Sequence, residues 1–158
     1  MIALHLLRHA DAGDPAQWTG PDDLRPISPK GRRQAERLGR HLAALECGVD
    51  LVVTSPRLRA VETARRVAAH LRVPVTEEGR LAGPLDPTVL EAILSDARHP
   101  RSPLLVGHDP DFSALLTSLT GVNGGLSKGA LARLDLDEPV EAGTARLVFL
   151  LPPRFLPR

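Results

Sequence analysis

Short apolar runs alternate along this chain with longer segments whose apolar positions recur every third or fourth residue, and that alternation restricts the fold more than any other feature. Ile2–Leu7, Leu51–Thr54 and Pro103–Gly107 read as buried strands, and Val73–Thr76 as a weaker one. Between them, Arg32–Leu45 places Ala35, Leu38, Leu42 and Leu45 at helical spacing. Leu58–Leu71 does the same with Val61, Ala64, Ala68 and Leu71, and Val89–Ala97 and Phe112–Leu119 also read as helices. Ala130–Leu136 and Ala145–Leu150 follow as two late strands, joined through the polar stretch Asp135–Gly143. Strands separated by helices of this length build a layered α/β sheet, mostly parallel, because parallel neighbours need a helical crossover.

The switch into a helix carries a repeated mark. Ser28-Pro29, Ser55-Pro56, Asp86-Pro87 and Asp109-Pro110 each place a short polar side chain before proline. The polar group can accept from free N–H groups of the first turn, and proline at the first helical position loses no hydrogen bond. All four pairs are expected to open helices.

Composition excludes several classes of function. A chain of 158 residues suits one domain with one sizeable core. Lys and Arg (20) nearly balance Asp and Glu (19), so the basic excess of a nucleic-acid-binding domain is missing. Trp18, Phe112, Phe149 and Phe155 are too few aromatics for a base-stacking platform. Cys47 is alone, which rules out an internal disulfide or a cysteine metal cluster. The first residues make a poor signal peptide, since Arg8 interrupts a short apolar run, and no stretch is long enough for a membrane helix. The expected location is therefore cytoplasmic, with no membrane or nucleic-acid partner.

Four residues suggest chemistry. Arg8 and His9 lie just past the first strand, Arg59 near the start of the helix after Ser55, and His108 directly after Pro103–Gly107. In a parallel sheet these positions share the C-terminal strand edge, where ligands bind. Two guanidiniums can clamp phosphoryl oxygens with paired hydrogen bonds. A neutral imidazole can attack phosphorus, and a second can stabilise charge on the transferring group. Taken singly, each has a plain alternative: a solvated strand end, a surface helix arginine, a strand terminator. Two histidines could also serve a metal, but no third ligand stands at suitable spacing, so neither metal nor cofactor is expected.

The motifs that hold these residues resemble a known family. Leu6-Leu7-Arg8-His9-Ala10 resembles the Arg-His-Gly signature of the histidine phosphatase superfamily. Thr54-Ser55-Pro56-Arg57-Leu58-Arg59-Ala60-Val61-Glu62-Thr63-Ala64 resembles its second block, and Val106-Gly107-His108 its third. The stretch Asp23–Gly31 and the ending from Lys128 through Leu150 are similar to the SixA-type phosphohistidine phosphatases within it. The resemblance implies a single phosphoglycerate mutase-like domain over residues 1–158: a three-layer α/β sandwich with helices on both faces of the sheet and no large lid insertion. It also implies His9 as the phosphorylated nucleophile, and Arg8, Arg59 and His108 as catalytic phosphate ligands.

Two departures shape the expected substrate. Ala10 replaces the signature glycine. The segment Arg80-Leu81-Ala82-Gly83-Pro84-Leu85-Asp86 lacks the glutamate that donates a proton in mutase-like relatives. Asp86 and Asp11 are the candidate donors, although Asp86 also reads as a helix cap and Asp11 as a loop residue. A strong acid matters most for alkoxide leaving groups, whereas a leaving imidazole has its own protonatable nitrogen. The expected substrate is therefore protein phosphohistidine. The alternatives are a small-molecule phosphatase acting on sugar or metabolite phosphates, a phosphate-binding module without turnover, and a structural interaction domain.

Overall fold

The strand Pro103–Gly107 is buried at every position, so both of its faces have to be covered by other elements. In the structure, a computed structural model that describes residues 1–158, it lies inside a six-stranded sheet. The strands are β1 (Ile2–Arg8), β2 (Leu51–Thr54), β3 (Val75–Glu77), β4 (Pro103–Gly107), β5 (Leu131–Leu136) and β6 (Arg146–Leu151), in the order β3-β2-β4-β1-β5-β6. β3, β2, β4 and β1 pair in parallel. β5 runs antiparallel to both β1 and β6, so it alone runs against the rest.

The helices α1 (Pro29–Ala44), α2 (Leu58–Leu71), α3 (Pro87–Asp96) and α4 (Asp111–Thr120) cover the sheet on two faces. Alternate residues of each strand feed opposite cores. Leu7, Val52, Leu104, Val106 and Leu131 pack with Ala35, Leu38 and Leu42 of α1 and Ala60, Ala64 and Val67 of α2. Leu4, Leu6, Val53, Leu105 and Leu134 pack with Leu90 and Ile93 of α3 and Phe112, Leu115 and Leu119 of α4. The expected three-layer sandwich is the observed one. From β2 to β4 the chain adds only α2, β3, a short 3-10 turn (Gly79–Ala82) and α3.

The helix-opening device works at two of its four sites. Ser28 accepts from the Gly31 N–H and Asp86 from the Val89 N–H, each with proline in the first turn. At Ser55-Pro56 it fails: α2 starts at Leu58, Arg57 is the N-cap, and the Ser55 hydroxyl bonds outside the helix. At Asp109-Pro110 the helix starts one residue past the proline, yet the Asp109 carboxylate still accepts from Ser113 in the first turn. β3 lies two residues later at its start than the expected Val73–Thr76, because Arg72 ends α2 in a left-handed conformation (φ 56°) and Pro74 has no N–H for the ladder.

One glycine fixes how α1 meets the loop after β1. A Cβ on Gly31 would stand 2.0 Å from the Asp11 carbonyl oxygen, so only glycine allows the first turn of α1 to lie against that loop.

Candidate active site

β1 and β4 are adjacent and parallel, with Arg8 opposite Gly107, so the residues immediately after them emerge side by side. His9 and His108 face each other there, with ring centroids 5.3 Å apart. The His9 backbone is held from two sides. Its N–H donates to the Gly107 carbonyl, and its own carbonyl accepts from the Gly129 N–H. The next residue is fixed as well, since the Ala10 N–H donates to Thr63 Oγ1, whose hydroxyl donates to the Arg59 carbonyl. The loop holding His9 is thus tied to the helix that holds Arg59.

These contacts set the state of His9. Its Nδ1 lies 2.8 Å from the Ala10 carbonyl oxygen. A carbonyl only accepts, so Nδ1 carries the proton and Nε2 the lone pair. Burial lowers the His9 pKa to about 4 against the helping carbonyl, and the nearby charges of Arg59, Arg8 and Arg25 lower it further. At neutral pH His9 is an uncharged imidazole with a free basic nitrogen.

His108 is also neutral. Burial, His9, Arg57 and Arg59 together press its pKa down to about 3. Its Nε2 sits 2.7 Å from Ser55 Oγ, which also accepts from the Arg57 N–H. The Ser55 hydroxyl has no other acceptor among the hydrogen bonds of the structure, so it donates to Nε2 and the imidazole proton lies on Nδ1. That N–H is buried and has no partner within the chain.

Both expected arginines lie at the site. Arg59 is almost fully buried and donates to the Asp22 carbonyl and, at 3.1 Å, to the Asp22 carboxylate. Arg8 donates to the Leu126 carbonyl at 2.9 Å and lies 3.9 Å from the Asp109 carboxylate. The Nε of each is buried without a partner. Arg25 and Arg57 complete the cationic surroundings, Arg25 bonded to Asp22 and the Ala12 carbonyl, Arg57 to Asp23 and the Ala82 carbonyl.

The two candidate proton donors have other engagements. Asp86 is exposed and caps α3. Asp11 accepts from the Ser28 hydroxyl, which holds its pKa below the usual carboxylate range and keeps it ionised. No group of three or more His, Cys, Asp or Glu side chains gathers with metal-binding geometry.

Sequence reading missed Asp22, Ser55 in its contact with His108, Thr63 and Arg25. Asp22 had no signal, because it reaches Arg59 from a 3-10 turn (Asp22–Leu24) with no periodic pattern.

A family model described as "Histidine phosphatase superfamily (branch 1)" matches residues 4–83, half of the chain. The chain belongs to the histidine phosphatase superfamily, and that membership supports a phosphatase. A further relative is the uncharacterized protein Rv1276c of Mycobacterium tuberculosis, 34% identical over 120 residues, which span 75% of this chain and 72% of that protein. Among solved structures, the fold matches the protein histidine phosphatase SixA complexed with tungstate (TM-score 0.85, 23% identity, 99% of this chain and 100% of that one). It also matches a mycobacterial glucosyl-3-phosphoglycerate phosphatase in complex with VO3 (TM-score 0.75, 18% identity, 96% and 100%). A third match is a putative alpha-ribazole-5'-P phosphatase from Escherichia coli (TM-score 0.77, 20% identity, 97% and 98%). No helix is long and apolar enough to cross a membrane.

Three buried histidines have depressed pKa values and make stability depend on pH: His5, lowered chiefly by burial, and the two at the site. The values at His9 (about 4) and His108 (about 3) are well below the ordinary 6.5. The unfolded chain therefore binds more protons between these values, and stability is complete above about pH 6.5 and lost as pH falls toward 4. Thermal melts should show a clear drop in Tm from pH 7 to pH 5. The drop should be smaller in His108→Ala, and an equal drop there would refute this origin.

Proposed function

We propose that this protein is a phosphatase that works through a covalent phosphohistidine on His9 and acts on phosphohistidine carried by proteins. The observation that supports it most is the His9 contact with Ala10, which leaves Nε2 unprotonated beside the guanidiniums of Arg8 and Arg59. A phosphoryl group seated there takes its hydrogen bonds from Arg8, Arg59 and the orphan Nδ1–H of His108. His9 Nε2 forms a bond to phosphorus as the bond from phosphorus to the leaving nitrogen breaks, and the released imidazole takes up a proton. Water then attacks the same phosphorus, which frees His9 and releases inorganic phosphate.

The bound dianion changes His108. With a nearby full negative charge its pKa rises, so the imidazolium is disfavoured less in the complex than in the empty pocket. A module that only bound phosphate would have no use for a lone pair presented this way.

Two features favour phosphohistidine over an alkyl phosphate. The segment in which mutase-like relatives carry an acid gives Arg57 the Ala82 carbonyl instead, and it buries Leu81 in the core. The two acids the sequence offered are tied up as a cap and as a partner of Ser28, and the carboxylates beside the pocket, Asp22 and Asp109, face Arg59 and Arg8 as ion partners. An imidazole leaving group tolerates that lack of acid assistance; an alkoxide does not. The second reading, hydrolysis of a small metabolite phosphate, is favoured by the fold shared with phosphatases of that kind.

Side-by-side kcat/KM values on a phosphohistidine peptide and on a panel of sugar phosphates separate the two. The phosphohistidine peptide should be preferred by about two orders of magnitude, the scale of one general acid. A sugar phosphate turned over faster would establish the second reading instead.

A further inference from the structure

A second cluster of cations lies beside the site, outside the catalytic group. A groove of about 420 Å³ runs between α1 and the segment after β6, lined by Lys30, Arg33, Arg37, Lys128 and Arg154 with Asp11 as the one acid. Those side chains sum to about +4 in a chain whose net charge is +1, so the rest of the surface is slightly acidic. Only Lys128 has an ion partner, Asp11 at 3.7 Å. Lys30, Arg33, Arg37 and Arg154 form no salt bridge, and the Arg154 guanidinium is stacked 4.9 Å over the exposed Phe155 ring.

The groove opens at the catalytic edge of the sheet. α1 starts there, β6 ends there, and β5, which runs the other way, begins there. Gly129 joins the two places: its N–H donates to the carbonyls of Arg8 and His9, while Gln34 and Pro153, both lining the groove, close around its α-carbon. Lys30, Arg33 and Arg37 lie on one face of α1 over about 10 Å, at 1.5 Å per residue. Cations in a row do not converge on one small anion. They match a chain that carries acidic groups at intervals.

We propose that this groove docks an acidic segment of the phosphorylated protein substrate, with Arg33, Arg37 and Arg154 as its specificity-determining contacts. The proposal rests on the phosphohistidine reading for its catalytic consequence, but the docking itself does not need turnover. Exposed ion pairs are individually weak and screened by salt, so their joint effect should show in KM and on-rate, and vanish at high ionic strength.

The test uses the triple variant Arg33→Ala, Arg37→Ala, Arg154→Ala, whose residues touch none of the catalytic groups. The probes are two phosphohistidine peptides, one flanked by Asp and Glu and one by Ser and Gly, together with phosphoramidate and a fluorescent Asp/Glu peptide without phosphate. The native protein should prefer the acidic phosphopeptide by about tenfold at low salt and lose the preference in roughly 0.5 M salt. The variant should show no preference and no binding of the fluorescent peptide, with phosphoramidate hydrolysis unchanged. Equal turnover of both phosphopeptides by the native protein would overturn the docking groove and leave the phosphohistidine reading standing. If neither phosphopeptide were hydrolysed, yet the acidic peptide bound the native protein and not the variant, the groove would stand and that reading would fall. Loss of phosphoramidate hydrolysis in the variant, or displacement of the peptide by an oligonucleotide of equal charge at lower concentration, would overturn an acidic protein as the occupant.

Discussion

Replacing His9 with alanine should lower kcat by roughly four orders of magnitude or more, because the covalent route disappears rather than weakens. The fold should survive the change. The His9 side chain bonds only to the carbonyl of the next residue, and the ties that hold its backbone to Gly107 and Gly129 are made by main-chain groups. His9→Ala should also bind vanadate or tungstate, since Arg8, Arg59 and His108 stay in place. A folded variant that keeps its oxoanion affinity yet lacks turnover assigns the loss to the chemical step. Near-native kcat in that variant would remove His9 from the mechanism.

Arg59→Ala should come next, with kcat/KM reduced by about 10²–10³, the usual effect of losing one preorganised charged donor at a transferring group. Arg59 is nearly fully buried, and two of its N–H groups are held by Asp22, which aims the guanidinium and opposes the lowering of its pKa by burial. Lysine cannot reproduce a planar fork, so Arg59→Lys should restore little. Asp22→Asn should have a smaller effect, because the Asp22 carbonyl still holds Arg59 while the carboxylate contact weakens. If Asp22 positions the guanidinium, that variant should lose affinity for vanadate and activity in parallel. Full rescue by Arg59→Lys would show that only a point charge is needed.

Much of the fold is legible in the sequence. The strands at Leu51–Thr54 and Pro103–Gly107 and the helix at Leu58–Leu71 stand where their patterns place them, because the strands are short continuous apolar runs covered on both faces and the helix buries one periodic face. His9 and His108 are legible as neighbours, since two parallel strands deliver their next residues to one edge of the sheet. Their charge state is not. The sequence shows a helix start after His108 and permits a cation there, whereas burial and the surrounding arginines hold it neutral. Ser55 shows why local rules stop short. As a residue before proline it reads as a cap, yet its hydroxyl serves His108, fifty-three positions away. Asp22 is harder still, for a carboxylate in an irregular loop has no period, and its contact with Arg59 exists only once α2 is docked.

The nucleophile can be tested most directly by trapping. Enzyme mixed with a radiolabelled phosphohistidine peptide and quenched in alkali within milliseconds should keep label on the protein, because phosphohistidine survives alkali and is lost in acid. Mass spectrometry of the digest should place one phosphate on the peptide that contains His9. The label should vanish when unlabelled substrate is chased in, and never appear on His9→Ala. Label on His108, or steady turnover with no label on the chain at any quench time, would contradict a covalent route through His9.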